Sequence, residues 1–228
     1  MTTAGLQLFD ITARTLRVGV EATVIAAVIG LPMATAIAFS RSRSASFLGA
    51  VANAGLALPP IAVGQLLWLL MWPDSRWGGG PLAGLGWLYT LDAVVLAQTL
   101  LALPVFVSIS AAALRSLPRD LLQQARALGA RSPRLAALAL REARAGIVTA
   151  LIAAFGTTVA TVGAILVVGT SLGNATLATA TVTTWAGGGH DSDAVTYGTV
   201  LVVIFGILAA AMTTVQKGGP RWPMRRPS

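Results

Sequence analysis

Five long apolar stretches, nearly free of charge, leave this chain few folds to adopt. A helix rises 1.5 Å per residue, so about 20 apolar residues cross the hydrocarbon core of a bilayer. Inside that core every backbone N–H and C=O must be paired within the structure, which favours α-helices. The stretches cover residues 18–39, 47–72, 91–114, 146–169 and 195–215. The chain is therefore expected to be all-α, a polytopic membrane protein with about five transmembrane helices in one domain, residues 1–228. The first stretch exceeds the roughly 7–15 residues of a signal-peptide core and is read as an uncleaved span. A further segment, residues 177–185, is short and threonine-rich. It is expected to be interfacial or re-entrant, because about 10–14 residues cannot cross.

Composition agrees with this reading. Hydrophobic residues make up 55% of the chain and charged ones 11%, against about 25% charged in soluble domains. There is no cysteine, which excludes disulfides, thiol catalysis and thiolate metal sites. The single histidine, His190, is read as a solvated loop residue, and no metal site is expected. A net charge of +8 fits nucleic acid or an anionic lipid surface. The charges lie between apolar stretches and at the C-terminus, with no aromatic and basic platform for stacking bases. Lipid is therefore the expected partner, and nucleic acid is not.

The positive-inside bias sets orientation. With the N-terminus outside, 13 of the 16 lysines and arginines fall on inner segments: residues 40–46, 115–145 and the tail from 216. The expected topology is N-out and C-in. Outer residues 73–86 are glycine-rich, with Trp77 and Trp87 near the interfacial belt. The tail, residues 217–228, has low complexity, is expected to be disordered, and carries charge suited to anionic lipid.

The inner segment reads RSLPRDLLQQARALGARSPRLAALALREARAG. Ser116 is placed to cap a helix, Pro118 suits its first turn and Asp120 complements its N-terminal dipole. Leu121, Leu122, Ala125 and Leu128 share one helical face. Gly129 stands where such a helix ends, and Ser132 with Pro133 restarts a second. Two readings follow from the pattern. One is a basic, membrane-hugging loop that only fixes topology. The other is a helical hairpin shaped to dock into a groove on a partner protein.

Polar residues inside the spans mark a translocation path or interhelical hydrogen bonding. They are Asn53, Gln65, Gln98, Thr99, Ser108, Ser110, Thr157, Thr158 and Thr161. Pro59, Pro60 and Pro104 free backbone groups in mid-membrane, tolerated where they line a cavity or pack against neighbours. Glu21 is read as reaching the interface, with an outer-gate role as the alternative; Asp92 is read as interfacial.

The inner segment resembles the cytoplasmic EAA loop of ABC importer permeases. The matching positions are Gln123, Gln124, Ala125 and Gly129, followed by Leu138, Ala139, Leu140 and Arg141. Glutamine replaces the acidic residue, glutamine the second alanine and arginine the final proline. GLALPPIAVG at 55–64, AQTLLALP at 97–104 and REARAGIVTALIAAFG at 141–156 are similar to tungstate-type permeases of the molybdate, tungstate and sulfate group. So are VGA at 162–164 and VGTSLGN at 168–174. Thr157 and Thr161 stand where similar permeases often carry Arg and Glu.

The resemblance implies a type I ABC importer permease fold, MetI-like, in the bacterial inner membrane. It implies a permease homodimer bound to a separate ATPase homodimer and an extracytoplasmic solute-binding protein. It makes Asp120, Leu121, Leu122, Gln123, Gln124, Ala125, Leu128, Gly129 and Ala130 the coupling helix that docks on the ATPase, through its apolar face. Among the polar and helix-breaking residues of the spans, Asn53, Pro59, Pro60, Gln98, Thr157, Thr158 and Thr161 are the candidate path. The residues independently point to ATP hydrolysis elsewhere. No GxxxxGK(S/T) phosphate loop is present, and the single lysine is Lys217. No catalytic constellation is found, so the chain is not expected to be an enzyme or to hold a cofactor. The expected solute is an oxyanion, tungstate first. Alternatives are molybdate, sulfate, another small solute, or a non-transporting scaffold or channel subunit.

Overall fold

The computed structural model describes residues 3–40, 42–73, 80–169, 175–187 and 191–217. Arg76, Trp77, His190, residues 170–174 and the tail beyond Lys217 lie outside them. The described residues form ten α-helices and one 3₁₀ turn, Ala83–Leu85, with no strand among them.

Helix α1 (Thr3–Phe39) begins well before the apolar stretch, which starts at residue 18. Its fourth turn, at Arg14 and Thr15, meets the start of α9 (Leu177–Ala186) and the residues just before it. The Leu177 N–H donates to Thr15 Oγ1 at 2.8 Å, and Arg14 Nη1 donates to the Ala175 carbonyl at 3.3 Å. These bonds tie the turn just before the apolar stretch to a segment about 160 residues later in the chain.

The second apolar stretch is two helices, α2 (Arg43–Gly55) and α3 (Pro60–Met71), bent by 110°. Pro59 and Pro60 lack the N–H groups that a continuous helix needs, so the chain turns there. Pro59 becomes the N-cap of α3. Helix α4 (Leu91–Arg115) continues through Pro104. Its apolar window is 61% buried, against 33% for α1 and none for α10 (Asp191–Lys217). Helix α4 is therefore the axis of the bundle: α1 and α7 pack along it, and α2, α3 and α8 also contact it. Helix α10 lies at the rim, against α7 and α9.

Two short helices, α5 (Arg119–Ala127) and α6 (Ser132–Glu142), follow α4. A 70° bend then leads from α6 into α7 (Arg144–Ala160). The fourth apolar stretch breaks at Thr161 and Val162 and resumes as α8 (Gly163–Val168). Three helices are long and apolar enough to cross a membrane, or five if each bent pair is one span.

Small residues set how closely these helices approach. A Cβ on Gly64 would lie 2.9 Å from the backbone of Ala164, and one on Gly163 would lie 3.0 Å from Ile61 N. Helices α3 and α8 thus meet almost backbone to backbone, as small residues allow in membrane interiors. A middle layer joins Ala26 of α1, Phe106 of α4, and Ala150 and Ala154 of α7. An inner layer joins Ile37, Leu114, Ala139 and Ala143, and so ties α6 to the bundle.

Candidate functional site

The hairpin α5–α6 differs from the expected cap and agrees at the turn. Ser116 does not cap α5. It ends α4, and its Oγ donates to the Ala113 carbonyl at 2.8 Å. The backbone is still helical at Ser116, so its hydroxyl turns back on its own helix instead of forward. Pro118 is the N-cap of α5 and offers no side-chain bond. Asp120 lies exposed in the first turn, where its charge faces the helix dipole.

At the other end Gly129 has φ +82°. The Ala130 N–H donates to the Ala125 carbonyl at 3.0 Å, and the Gly129 N–H to the Arg126 carbonyl at 2.9 Å. This pair of bonds is a Schellman motif. It needs a left-handed residue at position 129, which glycine adopts without Cβ strain. The corner between α5 and α6 is therefore fixed by backbone geometry.

The expected docking face divides in two. Leu122 packs against the inner layer of the bundle and, with Arg126 and Leu135, lines a cavity of about 410 Å³ beside Phe39 of α1. Leu121, Ala125 and Ala130 are half-buried. Leu128 is 89% exposed, and Gln123, Gln124 and Gly129 are exposed with it. Part of the stripe thus anchors the hairpin to its own chain, and the outward surface carries the glutamines and Leu128. Arg131, Arg134, Arg141 and Arg144 are exposed. Among the described residues the one ion pair is Arg17–Glu21, at 2.8 Å, so Arg126, Arg131, Arg134, Arg141 and Arg144 have no carboxylate partner there.

The candidate path residues do not form one surface. Asn53, Pro59, Pro60 and Gln65 are exposed, and Asn53 Oδ1 accepts from Ser108 Oγ at 3.4 Å. Thr157 is half-buried. Gln98, Thr99, Ser110, Thr158 and Thr161 are buried inside the protomer. The threonines are satisfied locally: Thr99, Thr157, Thr158 and Thr161 each donate to a carbonyl three or four residues back. Gln98 and Ser110 differ. Neither polar side-chain atom of Gln98, nor Ser110 Oγ, has a hydrogen-bond partner among the described residues. Glu21 Oε1 accepts from Arg17 Nε at 2.8 Å.

Thr176 and Thr179 form a reciprocal capping box at the start of α9, visible as a Thr-x-x-Thr spacing. Arg115 stands as one more basic residue in the inner segment, yet its Nη2 donates to the Ile37 carbonyl at 2.9 Å.

Long apolar helices, and two helix pairs that meet across sharp bends, define an integral membrane protein. No cluster of His, Cys, Asp or Glu that could hold a metal occurs among the described residues. The chain belongs to the family of inner membrane components of binding-protein-dependent transport systems, which matches residues 26–217. It is thus a multi-pass inner-membrane protein. A probable anion ABC transporter permease protein of Haloferax volcanii is 42% identical over 162 residues, 71% of this chain and 68% of that one. The tungstate uptake system permease protein TupB of Peptoclostridium acidaminophilum is 24% identical over 212 residues, 92% of this chain and 91% of that one. The fold is that of a solved inward-facing structure of the MetNI methionine ABC transporter. The TM-score is 0.76 at 20% identity, covering 97% of this chain and all of the other.

Proposed function

We propose that this chain is the membrane-spanning subunit of an ABC importer that passes an oxyanion, tungstate first, into the cell. Two copies line the path, with the N-terminus outside and the C-terminus inside. A separate ATPase dimer drives them and a separate extracytoplasmic binding protein delivers the ion. The chain holds no cofactor of its own.

The observation that carries this reading is the hairpin. The Schellman corner at Gly129 and the anchor at Leu122 make α5 a stiff element. Its exposed side, with Gln123, Gln124 and Leu128, is free to meet another protein. An element held rigidly at one end transmits displacement to the spans above it, as a two-state switch biased by nucleotide requires. Relatives described as anion and tungstate permeases support the solute class. Hydroxyls, amides and an arginine can hold an oxyanion without a buried cation cluster.

The test is reconstitution of this chain with its ATPase and binding protein. Loaded binding protein is expected to stimulate ATP hydrolysis. Leu128→Asp is expected to abolish stimulation while the chain remains folded. Calorimetric titration of the binding protein with tungstate, molybdate and sulfate separates the oxyanions. Heat from an amino acid, and none from any oxyanion, would assign the permease to another solute.

A further inference from the structure

A cavity of about 450 Å³ lies between α2 and the last turns of α4, walled also by Ile37 of α1. Its polar lining is Asn53, Ser108, Arg115 and Ser116, and no acidic residue lines it. Asn53 and Ser108 are already bonded to each other by their side chains. Ala112 lies between Ser108 and Arg115 on the same face of α4, one turn from each, and is exposed. A helix rise of 1.5 Å places Arg115 about 10 Å along α4 from Ser108.

The guanidinium of Arg115 is the one fixed charge on this lining. Its single hydrogen bond goes to the Ile37 carbonyl, and it has no carboxylate partner among the described residues. A guanidinium carries five N–H donors in a planar fork that matches two oxygens of a tetrahedral oxyanion. The bond to Ile37 fixes the side chain and leaves donors to spare. The volume holds an ion together with several waters, since one water takes about 30 Å³. An arginine that only neutralised the C-terminal dipole of α4 would serve equally well outside a cavity. Here it borders a groove lined by an amide and hydroxyls.

We propose that this groove is an oxyanion site, with Arg115 as the counter-charge and Asn53 and Ser108 as its neutral wall. It deepens the permease reading, and rests on it only for which oxyanion enters. The ion is held between the broken second apolar stretch and the end of α4, next to the segment that leads into the hairpin. Movement of α5 would thus shift the end of α4 that carries Arg115.

The chain has no cysteine, so Ala112→Cys gives a single thiol inside the groove. The assay follows modification of that thiol by a neutral methanethiosulfonate, in permease reconstituted into nanodiscs. Tungstate is expected to slow modification saturably, about tenfold at ten times the midpoint concentration. Adding Arg115→Gln should raise the midpoint at least about tenfold, and Arg115→Lys much less. Asn53→Asp keeps the bond from Arg115 to Ile37 and sets a carboxylate in the wall. It should raise the midpoint as well, which guards against a folding defect in Arg115→Gln. Protection by sulfate without protection by tungstate keeps the groove as an anion site and removes tungstate from the permease reading. A thiol that no reagent reaches overturns the site. So does one that tungstate, molybdate and sulfate leave unprotected, or protect no better than chloride at equal ionic strength.

Discussion

Substitution at Gly129 isolates the role of the corner between α5 and α6. A Cβ at that position meets no heavy atom within 4 Å, so packing contributes nothing to the outcome. What changes is the backbone. At φ +82° an L-residue with a Cβ is strained by about 1–2 kcal/mol. Gly129→Ala should therefore weaken the Schellman corner by about that amount, and Gly129→Asn by less. Since about 1.4 kcal/mol is a factor of ten, exchange of the amides of Leu128, Gly129 and Ala130 should quicken about 5- to 30-fold in Gly129→Ala. Gly129→Pro is worse. It fixes φ near −65° and removes the N–H that donates to Arg126. The assay is hydrogen exchange of the permease in nanodiscs, followed by ATPase stimulation in the assembled complex. Stimulation should fall in the order Gly, Asn, Ala, Pro while the exchange of α4 amides stays constant. Unchanged exchange in Gly129→Ala, or full stimulation in Gly129→Pro, would refute a rigid corner as the coupling element.

Other substitutions probe other parts of the structure. Gln98→Leu removes two unpartnered buried polar atoms and should raise stability by about 1–3 kcal/mol, seen as a higher unfolding temperature. A loss instead would reveal a partner for that amide. Gly64→Val places a side chain 2.9 Å from the Ala164 backbone and should cost about 1–3 kcal/mol by parting α3 from α8. Leu122→Asp sets a charge against the inner layer and should lower the unfolding temperature. Leu128→Asp, at an 89% exposed position, should leave that temperature unchanged and act only on assembly with the ATPase. Glu21→Gln breaks an exposed i,i+4 pair, and no measurable change in unfolding is expected.

Much of the architecture was legible because hydropathy over about 20 residues reports bilayer crossing directly. The third stretch, residues 91–114, nearly coincides with α4, and the turn at Gly129 was readable from the cost of positive φ. The breaks were less legible. Pro59 and Pro60 were visible, yet hydropathy is blind to direction, so a 110° bend looks like one span. The contacts of Arg14 and Thr15 in α1 are with residues some 160 positions later, Ala175 and Leu177, which no local window contains. The site divided in the same way. Residue type marked Gln98, Thr158 and Thr161 as polar within the membrane, and only packing places them inside the protomer. Arg115 was hidden among the six other arginines of residues 115–145 because its distinction is the cavity it borders.

The central claim is ATP-driven oxyanion import through this subunit. Its most direct test is uptake of tungstate into proteoliposomes holding the permease and its ATPase, with binding protein supplied outside and ATP inside. Uptake should require both ATP and binding protein, and should disappear in Leu128→Asp. Tungstate entry independent of ATP, or ATP-driven entry of another solute with tungstate, molybdate and sulfate excluded, would contradict it.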